Sequence, residues 1–181
     1  MLSRELLQDL LRHMEWADAK VWSTVPDSTP ADKRLLDLLL HIHTVQQAFL
    51  AVWTNTDVSV VFRNPEEFAS LALLREWARP YYARAQDYIS GLSAPELGVP
   101  VQMPWAAQLA ERLGRPPGVT TVAETCFQVC SHSTYHRGQV NARLREIGAE
   151  PPLVDYIAWL WFDRPAPDWH PQSPQMTPSR T

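Results

Sequence analysis

Four long stretches of this chain repeat their apolar residues at the spacing of an α-helix, and almost none of the sequence alternates apolar and polar residues as a β-strand does. The four stretches cover residues 3–24, 31–54, 65–90 and 121–147. Helices of this length bury their apolar stripes against one another, so the pattern predicts an all-α fold, a four-helix bundle. At 181 residues the chain is long enough for one well-packed domain and short for two.

Local signals mark where these helices begin and end. Thr121 with Glu124 three residues later has the pattern of a capping box at the start of the fourth helix, and Gly148 is placed to end that helix. Pro65 suits the first turn of the third helix. Pro80 lies inside the same helix and should kink or split it.

The connections between the helices indicate their directions. A short turn over residues 26–30 joins the first two helices, which should therefore be antiparallel. Residues 55–64 form an extended connection of about 33 Å, which is long enough to return along the bundle and make the second and third helices parallel.

Three segments lie outside the four helices. Residues 92–119 form a long linker with a short helix at 104–114, and we expect this linker to be either a lid over the site or an insertion. Residues 153–162 form a short apolar closing element. We therefore divide the chain into a bundle domain, residues 1–163, and a proline-rich tail, residues 164–181, which is too poor in apolar residues to build a core and should be flexible or dock on a neighbour.

Charge and composition exclude several classes of function. The net charge is -4 and the 16 Lys and Arg residues are scattered, which argues against a nucleic-acid-binding surface. No uninterrupted apolar run reaches the roughly 18 residues of a membrane span, and the N-terminal residues have the pattern of a helix rather than of a signal peptide. Two cysteines do not make a disulfide framework. We expect a cytoplasmic protein with a small-molecule substrate and neither a nucleic-acid nor a membrane partner.

Two of the six histidines, His132 and His136, lie four residues apart on the fourth helix and project from one face, about 40° apart. That spacing lets two imidazoles share one metal ion, although a solvated polar stripe gives the same spacing by chance. The apolar stripe of this helix places the pair at its edge, where metal sites of bundles are built, and Gln139 and Arg143 continue the polar face beside them. That apolar stripe comprises Val122, Cys126, Val129, Cys130, Val140, Leu144 and Ile147.

A third ligand must come from another helix, and the second helix offers His41 or His43. Residues two apart on a helix point in nearly opposite directions, so both cannot face one site. His41 shares its face with apolar residues, which predicts that it points inward and is the third ligand. The alternative for His41 is a core histidine that is satisfied by a backbone carbonyl. The apolar residues on its face are Leu38, Val45, Phe49 and Val52.

Other metal chemistries fit the residues less well. Cys126 and Cys130 lie in the middle of the apolar stripe, so they are interpreted as core packing and not as ligands. Ser133 occupies the position of the general-base glutamate of a zinc protease, which disfavours that class. The Glu-x-x-His pairs of carboxylate di-iron bundles are absent from the sequence.

Three runs of the chain resemble helices of the DinB/YfiT-like metalloprotein superfamily. The run HSTYHRGQVNARLREIGAEPPLVDYIAWL resembles the family's fourth helix and closing segment. The run LLLHIHTVQQAFLAVW resembles its second helix, and HMEWADAKVW resembles its first helix. The hallmark is His-x-x-x-His followed by Arg-Gly-Gln, and the resemblance covers about residues 5–162. It implies the ligands His41, His132 and His136, an up-down-down-up bundle and a homodimer.

A chemistry follows from the ligands and the resemblance together. Three neutral imidazoles leave a divalent ion with at least one open position, the layout of a catalytic site, and they suit Zn, Ni or Fe. Family members include thiol-dependent S-transferases and isomerases, so the resemblance implies a metal-dependent transferase that activates a low-molecular-weight thiol. Arg143, with Gln139 beside it, would then bind a carboxylate of the substrate.

Two alternatives stay open, a metal-dependent hydrolase and a non-catalytic metal-binding or sensing module. The sequence assigns no catalytic residue beyond the ligands. Asp155 or Tyr156 of the closing element could supply a general base, but nothing in the sequence places either of them near the histidines.

Overall fold

The fold comes from a computed structural model that describes residues 2–26 and 32–169. These residues are mostly helical, which confirms the all-α class. The helices are α1 (Arg4–Trp22), α2 (Lys33–Trp53), α3 (Leu71–Ala78), α4 (Pro80–Gly91), α5 (Ala94–Leu97), α6 (Ala106–Leu113), α7 (Val122–Glu146) and α8 (Tyr156–Trp161). Two short strands, β1 (Pro100–Val101) and β2 (Thr120–Thr121), pair antiparallel just before α7.

Side-chain caps fix the starts of the three longest helices. Ser3 accepts a hydrogen bond from the backbone N–H of Leu6 at the start of α1, and Asp32 accepts one from Leu35 at the start of α2. At the start of α7 the capping box of Thr121 is present as predicted. Each cap satisfies a backbone donor that the helix itself leaves free, which is worth about 1 kcal/mol.

The third helix was predicted to cover residues 65–90, and its predicted start at residue 65 was wrong. Pro65–Glu67 form only a 3-10 turn, and the α-helical conformation begins at Leu71, where the Ser70 side chain caps it. Pro80 then divides the rest into α3 and α4, because its ring has no N–H to donate to the preceding turn. The connection predicted to be extended, residues 55–64, also contains a 3-10 turn, Val58–Val61. The short helix predicted at 104–114 is confirmed as α6.

The core forms where α1, α2, α4 and α7 meet. α2 packs against α4 and α7, and α1 packs against the same two helices. Burial of each large aliphatic side chain in this core stabilises the fold by about 1.5–3 kcal/mol. By length and mean hydropathy α2 could also cross a membrane, but 61% of its most apolar window is buried within the protein, as in a core helix. Fully buried aliphatic residues of the core include Leu7, Leu35, Leu50, Leu74, Ile89 and Leu144.

The C-terminal residues cross the outside of α1. Trp159 of α8 packs with Trp16, and its indole N–H donates to the carbonyl of Pro165. Farther along, Trp169 is buried, donates to Glu15 and lies 5.3 Å from the ring of Tyr82. The described part of the predicted tail therefore packs on α1 and α4, while the domain boundary at residue 163 stays a prediction. Residues 170–181 and most of the turn predicted at 26–30 lie outside the described residues.

Candidate metal centre

Three histidine rings meet at the edge of the contact between α2 and α7. His132 and His136 extend from successive turns of α7, and their ring centroids are 4.2 Å apart. His41 of α2 faces both, with its ring centroid 5.1 Å from that of His132 and 4.4 Å from that of His136. The structure thus brings together the three residues that the helical spacing selected.

The ring nitrogens of these residues are close enough for one ion. One nitrogen from each of His41, His132 and His136 can be chosen so that all lie within 4.8 Å of one another. Imidazole nitrogens bind zinc at about 2.0–2.1 Å, so two nitrogens on one ion are at most about 4 Å apart. Small rotations of the side chains would close that difference.

A neighbouring amide orients one of the rings. The Nδ1 atom of His136 lies 2.8 Å from the Oε1 atom of Gln139, one helical turn further along α7. A proton on Nδ1 is held by the amide oxygen, which leaves the lone pair of Nε2 available to a metal ion. The Nδ1 atom of His132 is buried and has no hydrogen-bond partner within the described part of the chain. A buried ring nitrogen without a partner is unfavourable, and a bound ion or its ligand would relieve it.

The electrostatics keep the rings of His41 and His132 neutral. Burial, followed by repulsion from His136 and His41, lowers the pKa of His132 to about 4. Partial desolvation of the ring, followed by repulsion from His136, also lowers the pKa of His41. Metal ions bind the neutral imidazole, so these side chains are ready to bind at neutral pH without first losing a proton.

The prediction that His41 points into the core was wrong, although His41 is the histidine of α2 that joins the cluster. His41 is exposed, whereas His43 is only 1% exposed and lies in the core. His43 accepts a hydrogen bond from the indole N–H of Trp22 and is paired through Nδ1 with Gln46. α2 is apolar around most of its circumference, so apolar neighbours do not identify its inner face. The cluster therefore lies on the flank of the helix contact and not inside the core.

A buried polar network that was not predicted from the sequence adjoins the cluster. Arg137, the residue after His136, donates through Nε to Asp18 of α1 at 2.9 Å. Gln46 of α2 donates to the same carboxylate and to Ser133, the residue after His132. The network ties α2 and α7 together through the residues that follow His132 and His136. The available signal was a polar residue within an otherwise apolar stripe, as at Asp18 of α1, but its partners lie on other helices.

The two residues predicted to bind substrate have partners in the structure. Gln139 holds His136, as described above. Arg143 donates to Asp32 at the start of α2 at 3.0 Å and to Glu146 at 2.8 Å, so it links α7 to α2. Their contact with a substrate stays a prediction.

The candidate general bases lie on another face of the protein. Asp155 and Tyr156 line a cleft of about 580 Å³ between α1 and α7, together with His13. None of His41, His132 and His136 is among the residues that line this cleft. The structure therefore does not bring Asp155 or Tyr156 to the cluster.

Comparison with known proteins agrees with the resemblance. A family model described as the DinB family matches residues 3–171, nearly the whole chain. No curated protein and no solved structure matches the chain significantly.

Proposed function

The chain belongs to the DinB family, and from that premise we propose that it binds one divalent metal ion through His41, His132 and His136. The observation that carries the proposal is the convergence of three imidazoles from two helices within 4.8 Å. The donor set fits such an ion, because the pKa values of His41 and His132 are lowered and His136 is oriented by Gln139. Zn, Ni or Fe would suit three nitrogen donors.

We propose further that the protein is a metal-dependent transferase that uses a low-molecular-weight thiol. A divalent ion at this centre would act as a Lewis acid and lower the pKa of a thiol bound beside it. The thiol sulfur would form a bond to an electrophilic carbon of the second substrate, the leaving group would depart with its bonding electrons, and the thiol proton would pass to solvent. Gln139 holds the orientation of His136, and the network of Asp18 and Arg137 holds the backbone that carries the ligands.

The proposal also covers the topology of the bundle and the assembly of the chain. The packing of α1, α2 and α4 with α7 supports the up-down-down-up four-helix bundle of the family. A homodimer in the cytoplasm that acts on a small-molecule substrate completes the proposal. Sedimentation equilibrium of the full chain tests the dimer directly.

Turnover of thiols by the zinc-loaded protein tests the transferase. The full chain would be supplied with a panel of low-molecular-weight thiols and an electrophile with a chromogenic leaving group, and the release of that group would be followed. The same panel added to the cobalt-substituted protein should change its absorption spectrum for the thiol that is used. His136→Ala is the matched variant and should abolish both signals.

The outcomes separate the candidate functions. Turnover of one or more thiols that is lost in His136→Ala supports a transferase. Hydrolysis of the electrophile without any thiol would instead support a metal-dependent hydrolase. Stoichiometric metal binding with no turnover and no spectral change would leave a metal-binding or sensing module and reject the transferase.

A further inference from the structure

A second cleft, of about 340 Å³, opens directly beside the histidine cluster. His132 forms part of its wall, so a molecule in the cleft would lie next to the proposed metal centre. Its volume falls in the range of about 300–1,000 Å³ that is usual for small-molecule sites. Lids and linkers often complete such sites, and here residues 105 and 108 of the long linker supply part of the wall.

Aromatic side chains from three separate segments line this cleft. Phe49 comes from α2, Phe62 follows the 3-10 turn Val58–Val61, and Trp105 precedes α6. Phe49 is buried and meets the Trp105 ring edge-on, with the centroids 5.2 Å apart. Phe62 is 60% exposed, so a flat apolar molecule in the cleft would cover a surface that is now in water. Covering apolar surface is favourable, and the gain grows with the area that is removed from water.

The polar groups of the cleft are neutral. Gln108 and Gln128 contribute the amides, and no Lys, Arg, Asp or Glu is among the described residues that line it. In the metal-free protein an anionic group placed there would lose water without gaining a counter-ion, which is costly in a partly apolar site. The larger cleft between α1 and α7 differs, because Arg137 and Asp155 are among its lining residues.

From this lining we infer that the cleft beside His132 binds an uncharged aromatic molecule, which is the electrophilic substrate of the reaction proposed above. The aromatic ring lies against Trp105 and Phe62, a polar substituent is hydrogen-bonded by Gln108 or Gln128, and the reacting carbon faces His132. That the ligand is the electrophile rests on the proposed function. That it is an uncharged aromatic molecule rests on the cleft alone. Recognition of this substrate does not involve Arg143, because the guanidinium of Arg143 is bound to Asp32 and Glu146.

The test compares two ligands of the same shape and different charge. Binding of 2-naphthalenemethanol and of 2-naphthoate to the zinc-free full chain would be measured by titration calorimetry, so that no metal ion is present to bind the carboxylate. The alcohol should bind at least about tenfold more tightly than the carboxylate, since the carboxylate would be desolvated without a counter-ion. Trp105→Ala should weaken binding of the alcohol by about tenfold, because an aromatic pair and its buried area are lost.

Matched variants keep the test independent of folding and of the metal. Trp161→Ala removes a tryptophan that is 76% exposed and does not line the cleft, so it should bind the alcohol as the unaltered chain does. Gln108→Arg places a cation on an exposed position of α6 and should tighten naphthoate binding by about two- to fivefold without tightening binding of the alcohol. His136→Ala should lose the metal and keep the alcohol, so that a failure of the metal proposal is visible separately.

Three results would overturn the inference. The first is equal or tighter binding of 2-naphthoate to the unaltered, zinc-free chain. The second is an affinity for the alcohol that Trp105→Ala does not change. The third is an absence of calorimetric binding of the alcohol up to its solubility limit.

Discussion

The guanidinium of Arg137 donates to the carboxylate of Asp18 at 2.9 Å, and the two side chains are 3% and 4% exposed. The bond joins α7 to α1 one residue beyond the ligand position His136. Tyr82 and Gln46 donate to the other carboxylate oxygen, so the buried anion is satisfied from three helices. This pair anchors the cluster from below, and its removal should disturb the whole packing.

Asp18→Asn should destabilise the protein by about 3–5 kcal/mol. The substitution keeps the shape of the side chain but leaves the charge of Arg137 buried without a counter-ion. The free energy of unfolding in urea would be compared with that of Arg34→Ala, which breaks an exposed pair with Glu146 and should have a much smaller effect. Equal effects of the two substitutions would contradict the role assigned to the buried pair.

Gln139→Ala should weaken zinc binding by about 10–100-fold without unfolding the chain. The amide fixes the orientation and the proton position of His136, and loss of such a partner typically has an effect of that size. Competition with a chromogenic chelator would give the affinity, and Gln128→Ala on the same helix is the matched control. An unchanged affinity in Gln139→Ala would show that the hydrogen bond does not orient a ligand.

The pair of Asp32 and Arg143 should make stability depend on pH in acid. Hydrogen bonding from Arg143, followed by that from the backbone of Leu35, lowers the pKa of Asp32 from 3.8 to about 2. A carboxyl whose pKa is lowered by folding stabilises the protein above its unfolded pKa, and that contribution is lost as the pH falls from 3.8 through about 2. Asp32→Asn keeps a capping side chain but removes the charge.

Urea unfolding at several pH values measures this contribution. The unaltered chain should exceed Asp32→Asn in stability at about pH 7, and the difference should shrink steadily below about pH 4. A difference that stayed constant over that range would show that the carboxylate charge does not contribute.

The two cysteines should not take part in metal binding. Cys126 is fully buried and Cys130 is 6% exposed, and the hydrogen bond with Cys126, followed by burial, raises the pKa of the Cys130 thiol. A thiol in that setting is a poor ligand and a poor nucleophile. The double variant Cys126→Ala, Cys130→Ala should therefore retain its zinc, and a thiol reagent should label the unaltered chain only as it unfolds. Loss of zinc in the double variant would show that the cysteines take part in metal binding.

Much of the fold follows from local sequence signals. The features that could not be predicted depend on tertiary packing. The spacing of apolar residues and the capping box of Thr121 identified α1, α2 and α7 because those signals act within a few residues. The start of α3 was misplaced because Pro65 and its acidic neighbours also suit a 3-10 turn, and only packing distinguishes the two.

The candidate site divides in the same way. The helical spacing of His132 and His136 is visible in the sequence, and so is the presence of one more histidine on α2. The sequence could not show that His43 faces the core and His41 the flank, because α2 is apolar on most sides. The contact between Asp18 and Arg137 was equally hidden, because it joins residues more than a hundred positions apart.

Elemental analysis of the untagged protein, purified without chelator, tests the central claim most directly. About one zinc, nickel or iron ion per chain is expected, and His132→Ala and His136→Ala should lose it while remaining folded. The control His170→Ala, which removes a histidine outside the described residues, should keep it. A metal-free chain that also fails to take up an equivalent of added zinc, or a His136→Ala variant with an unchanged metal content, would contradict the claim.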